Sequence, residues 1–224
     1  LAEQPISYAS AKLASAYQQY VYEPEDLITI SESITFEQFL KFVSFWLQEY
    51  KIIALLHGNI TREEAATTAQ TIESIISSSK ANSLPVTNEE FDIHLRTLRL
   101  NENTDYRITS VHSNPADENS AIIVDYQIGE RNLQSSVFTS MLPLILSAPF
   151  HDQLRTKEQL GYLVSCNTKS NHNVFSIQFN IQSAKYDPAY LLERIEAFIK
   201  DNVAKLLKDI SNDEFERYKN SLRS

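Results

Sequence analysis

Ser147-Ala148-Pro149-Phe150-His151-Asp152-Gln153-Leu154-Arg155-Thr156-Lys157-Glu158-Gln159-Leu160-Gly161-Tyr162 is the stretch on which the reading of this chain turns. A short helix carries Arg155 and Lys157 outward. Gly161 then lets the backbone turn, and Tyr162 enters an alternating strand, with Tyr162, Val164 and Cys166 on one face and Leu163 and Ser165 on the other. A guanidinium and a phenol seven residues apart thus stand at one helix-to-strand junction, and both can donate hydrogen bonds to a carbonyl or an oxyanion. The same spacing also suits a surface arginine and a tyrosine closing the edge of a core.

Downstream, Asn171-His172-Asn173 reads as a hairpin turn, and Phe175, Ile177, Phe179 and Ile181 alternate with Ser176, Gln178 and Asn180, a strand with one buried face. Asp187 and Pro188 start a helix with Leu191, Ile195, Phe198, Ile199 and Leu206 on its apolar side. Ser211 with Glu214 opens a last capping box, and that helix is cut off at Ser224, as in a fragment of a longer chain. Upstream, Leu133, Val137, Met141 and Ile145 mark a helix over 132–147 that Pro143 should kink. Ile122 to Ile128, closed by Gly129, and Tyr106 to Val111 read as strands, and Phe91 to Leu100 as one long strand with an irregularity or two short strands.

Residues 77–88, rich in Ser, Asn and Pro without periodicity, mark a boundary. Before it, Ile6 to Tyr22 is helical, stopped by Glu23-Pro24. Thr35 and Gln38 form a capping box for a helix with Phe36, Leu40, Val43, Leu47 and Tyr50 on one stripe, widened by Phe39 and Trp46 and expected to be buried. Lys51 to Leu56 suggests a strand buried on both faces, Gly58-Asn59 a turn, and Thr61 with Glu64 the cap of the next helix.

RTKEQLGY over Arg155 to Tyr162, with Leu154 and the Ser-Ala-Pro-Phe turn before it, resembles the signature near the C-terminal end of insulysin-like peptidases, the inverted zinc metalloendopeptidase family that includes pitrilysin. Leu55-Leu56-His57-Gly58-Asn59-Ile60-Thr61 resembles the strand-turn-helix of the family's preceding domain, and Phe179-Asn180-Ile181-Gln182-Ser183 the strand after the signature. The resemblance implies an α+β fold, two-layer domains with helices packed on a mainly antiparallel sheet. Residues 1–88 would be the C-terminal part of the third family domain plus linker, and 89–224 the fourth domain, cut off at its end. It also implies that Arg155 and Tyr162 bind substrate across a closed chamber from a zinc site held by the absent N-terminal half. That half and a peptide or small unfolded protein substrate are the implied partners; homo-oligomerisation stays open.

The zinc chemistry itself needs H-x-x-E-H, and His57, His94, His112, His151 and His172 stand in neither that pattern nor its reverse. This segment is therefore expected to bind no metal and to be inactive alone. A second reading is a peptide-binding or assembly scaffold from a homologue that has lost catalysis. Three separated glycines write no phosphate loop or dinucleotide fingerprint. The charge is -9, with -7 of it in residues 1–90, and no basic stripe offers a surface for nucleic acid. The longest apolar runs, near Ile52 to Leu56 and Leu142 to Leu146, are too short for a bilayer, so no membrane partner is expected. Cys166 stands alone, which excludes an internal disulfide framework and favours a reducing, cytoplasmic setting.

Overall fold

The computed structural model describes residues 4–46, 54–78, 96–112 and 114–223. It divides into two compact units, one of Leu1–Asp26 with Leu95–Ser224 and one of Leu27–His94. The expected boundary at 77–88 and the start of the strand at Phe91 lie mostly outside the described residues.

The first unit is built on a three-stranded antiparallel sheet, β1 (Ser120–Glu130), β2 (Leu163–Asn171) and β3 (Val174–Ser183), in the order β1-β3-β2. A two-residue turn at His172 and Asn173 joins β2 to β3, with His172 in the left-handed region at φ 53°. Pairing of Ile122 with Ile181, Val124 with Phe179, Val164 with Ile181 and Cys166 with Phe179 puts these side chains on one face. That face meets α5 (Leu133–His151) and α6 (Pro188–Phe198), which contribute Ile145, Leu146, Phe150, Leu191, Ile195 and Phe198 to one core. Phe150 is central to it, its ring centroid 5.1 Å from those of both Phe179 and Phe198.

Capping chemistry starts these helices where the residue types predict. Asn132 and Ser135 exchange side-chain bonds at the start of α5, Asp187 accepts from the backbone of Ala189 and Tyr190, and Ser211 with Glu214 closes the box of α8 (Asn212–Ser221). Between α6 and α8 the chain passes through a π-helical segment, Ile199–Val203, and α7 (Ala204–Asp209). α5 does not break at the Ser-Ala-Pro-Phe sequence. It runs through Pro143 and Pro149 and continues as a π-helical segment, Asp152–Lys157. The combined helix, Leu133–Lys157, is by length and composition long and apolar enough to cross a membrane, which the short apolar runs did not reveal. Met141, Ile145, Leu146, Phe150 and Leu154 are instead buried within the unit.

α1 (Pro5–Tyr17) lies against the other sheet face, packing on β1 and β3. It ends earlier than Tyr22 because the chain leaves to pair: Leu98 N–H donates to Tyr17 O at 2.7 Å and Gln19 N–H to Arg96 O at 2.9 Å, and Tyr20 takes φ 62°. The cover of α1 corrects the reading of β3 as a strand with one solvent face. Ser176, Gln178, Asn180 and Gln182 are as buried as the apolar residues between them. Tyr106 to Val111 forms no strand, and Tyr106, Ile108 and Val111 are exposed.

The second unit holds most of α2 (Pro24–Ser33), then α3 (Phe36–Trp46) and α4 (Arg62–Ser78). The capping boxes predicted at Thr35 and Thr61 are both formed. The burial predicted for α3 is not: Phe36 is 75% exposed, and Phe39, Leu40, Phe42, Phe45 and Trp46 are exposed with it. Leu47, Tyr50 and the first half of the expected strand at Lys51 lie outside the described residues. Ala54, Leu55 and Leu56 form no strand, and Leu55 is 91% exposed.

Candidate functional site

The junction from α5 to β2 begins with the π-helical segment, whose wider turn is closed by Glu158 N–H donating to Gln153 O at 3.0 Å. Leu160 N–H then donates back to Leu154 O at 3.0 Å while Gln159 adopts φ 54°, a left-handed cap formed without glycine. Leu154 and Leu160 anchor the two ends of this turn in the core, each almost wholly buried.

Charges on the turn are paired with one exception. Lys157 meets Asp152 at 2.8 Å. Glu158 receives Arg194 Nε at 2.8 Å and Nη2 at 3.0 Å, and also Gln153 Nε2 at 2.8 Å. The Arg194 guanidinium holds the Glu158 carboxyl below its usual range against a smaller opposing effect of burial. Arg155, half-buried on the same turn, has no ion-pair partner among the described residues.

Gly161 is required by close approach rather than by a special φ. A Cβ there would stand 2.1 Å from the backbone oxygen of Gln182. Crossing so near β3 bends the chain at Tyr162, which precedes β2 instead of opening it. Tyr162 therefore does not join Val164 and Cys166 on the core face as its alternation suggested. It is 53% exposed, and its hydroxyl accepts from Gln182 Nε2 on the opposite face. Gln182, 1% exposed, in turn accepts the N–H of Ile6 in the first turn of α1 at 3.0 Å.

From Leu163 onward a groove of about 200 Å³ runs between α1 and the polar sheet face, lined by Ser7, Ser10, Ser165, Asn167 and Asn180. Asp125 lies deeper on that face, and burial pushes its carboxyl up. Burial also pushes the Cys166 thiol up to about 12, which removes its nucleophilic form at neutral pH. Among the described residues no three His, Cys, Asp or Glu side chains converge. His112 stacks edge-on against Tyr8 and bonds Asn114, and His57 is exposed.

The structure thus keeps Arg155 and Tyr162 at one junction and adds three residues that spacing did not single out, Glu158, Arg194 and Gln182. Glu158 and Gln182 each lay within a quoted motif; Arg194 carried no signal, because its contact spans 36 residues of sequence.

A unit with helices packed on both faces of a three-stranded antiparallel sheet has counterparts among known proteins. Residues 141–224 match the family model of the PQQ synthase PqqF-like C-terminal lobe, domain 4. Insulin-degrading enzyme of Drosophila melanogaster is 27% identical over 221 residues, 99% of this chain and 22% of that protein. A nardilysin-like protein of Arabidopsis thaliana is 25% identical over 97% of this chain and 21% of its own length. In fold, a pitrilysin crystal structure is similar with a TM-score of 0.62 and 24% identity, over 97% of this chain and 22% of that one. The chain is therefore homologous to insulin-degrading enzyme and nardilysin over nearly all its length, and it spans about a fifth of the length of the curated relatives it matches.

Proposed function

We propose that this chain is the C-terminal segment of an insulysin-like zinc metalloendopeptidase, forming part of a closed substrate chamber and positioning peptides for hydrolysis. Residues 1–88 would then be the end of the third family domain with its linker and 89–224 the fourth, with zinc held by an N-terminal half. In this assignment α1, on the earlier side of that division, docks on the sheet of the later one.

The observation that carries the reading is Arg155, which has no ion-pair partner among the described residues on a turn whose other charges are paired. A guanidinium with no carboxylate beside it keeps its five N–H donors for water or for a peptide carbonyl. Tyr162, half-exposed and hydrogen-bonded from below, suits a second donor to the peptide or to the oxygen that gains charge as the bond is cleaved.

The test is turnover of a quenched fluorogenic peptide by the full-length protein. Arg155→Ala and Tyr162→Phe should each lower kcat/KM by roughly ten- to a thousandfold, about 1.4 to 4 kcal/mol, with zinc content unchanged. Wild-type turnover in both variants removes the assignment. Peptide binding without hydrolysis in the unmutated protein moves it to a scaffold.

A further inference from the structure

Gln182 touches three things at once. Its backbone oxygen is the surface over which Gly161 passes, its side-chain Oε1 accepts the Ile6 N–H at 3.0 Å, and its Nε2 donates to the Tyr162 hydroxyl. The second contact decides the third. An amide oxygen accepts and an amide nitrogen donates, so once Oε1 is occupied by a backbone N–H the side chain presents only N–H to Tyr162. At 1% exposure no water competes to reverse it.

A phenol has one proton. With its oxygen already accepting from Gln182, that proton has no use on the inner side and is left for a partner on the exposed side, where Tyr162 is half open. Accepting a hydrogen bond also polarises the O–H and makes it the stronger donor. Resting on the reading of Tyr162 as a substrate donor, we propose that Gln182 is a positioning residue: it holds the Tyr162 oxygen as an acceptor and so commits the phenolic proton to the peptide carbonyl. The first turn of α1, through the Ile6 N–H, sets the amide's orientation.

Gln182→Glu reverses one bond and keeps the shape. At neutral pH the new carboxylate still accepts from Ile6 but cannot donate, so the Tyr162 proton turns inward to it and is lost to the substrate. The experiment is a double-mutant cycle in the full-length protein, with kcat/KM for a fluorogenic peptide measured in the Tyr162 and Tyr162→Phe backgrounds. Gln182→Glu should lower kcat/KM at least tenfold at pH 7.5 with Tyr162 present and less than twofold in the Tyr162→Phe background. Lowering the pH should narrow the gap to wild type, because the protonated carboxyl regains a donor. Gln182→Met, which donates nothing and accepts only weakly, should give a smaller loss, again confined to the Tyr162 background, and serves if the carboxylate variant does not fold. Equal losses in both backgrounds, or wild-type kcat/KM in both Gln182 variants, overturn the proposal. Wild-type turnover in Tyr162→Phe alone overturns instead the substrate role of Tyr162 on which it rests.

Discussion

α5 and α3 are both capped, both rich in large apolar residues, and opposite in fate. The face of α5 that carries Ile145, Leu146 and Phe150 is buried against a sheet, whereas α3 keeps no residue buried and presents Phe36, Phe39, Phe42, Phe45 and Trp46 to solvent. Helix propensity does not explain the difference, since α5 carries two internal prolines and α3 none; what differs is whether a complementary surface receives the stripe. Amphipathic periodicity announces a surface that would gain free energy by burial, about 25 cal/mol per Å² of apolar area, and does not guarantee a partner. A contiguous exposed patch of this kind is unusual for a monomeric surface.

The contrast is broken or sharpened most strongly by paired truncations. Phe150→Ala should cost about 3–5 kcal/mol in urea unfolding of this chain, since it empties the centre of the core, and Phe45→Ala should fall within about 0.5 kcal/mol. Comparable losses at the two positions would mean that α3 is buried in solution. Next in size are the ion pairs. Glu158→Gln disrupts a two-pronged, partly buried bond to Arg194 and should cost about 1–2 kcal/mol; Glu37→Gln breaks an exposed pair with Lys41 within α3 and should cost at most about 0.5 kcal/mol.

The pH dependence of the first of these follows from its sign. Because the folded Glu158 carboxyl is held below its ordinary value, the gain is fully present above the unfolded pKa of about 4.3 and disappears as the pH falls through the folded one. The Tm difference between wild type and Glu158→Gln should therefore be constant from pH 8 to about pH 5 and shrink in more acidic buffer. A difference that grew with acid would contradict the assignment. The smallest contrast is in the caps. Asp187→Ala should cost about 1 kcal/mol of the cooperative unfolding of the first unit, while Thr35→Ala should show mainly as faster amide exchange at the start of α3.

Much of this architecture was legible in the residues. The caps at Thr35, Thr61, Asp187 and Ser211 are local chemistry, complete within four or five residues, and the strands of the sheet alternate visibly from Ile122, Val164 and Phe175. The same local rule failed for Tyr106 to Val111, where alternation is present and no strand forms. It failed at Ser147 to Phe150 too: Pro149 reads as a break, yet α5 continues through it because Ile145, Leu146 and Phe150 are held in the core on either side.

The sequence by itself determined that Arg155 and Tyr162 sit on one short junction, because a covalent spacing of seven residues keeps them there in any fold. Only the tertiary structure decided how the junction is used. Glu158 pairs with Arg194, 36 residues away, and not with Arg155 on its own turn, and Tyr162 leaves the core face because Gly161 must cross the Gln182 carbonyl. Whether its hydroxyl gives or takes a hydrogen bond is set by the backbone of Ile6, 176 residues from Gln182. Local periodicity cannot carry such information, since the donor inventory of a buried amide is settled by whichever distant group the fold brings against it.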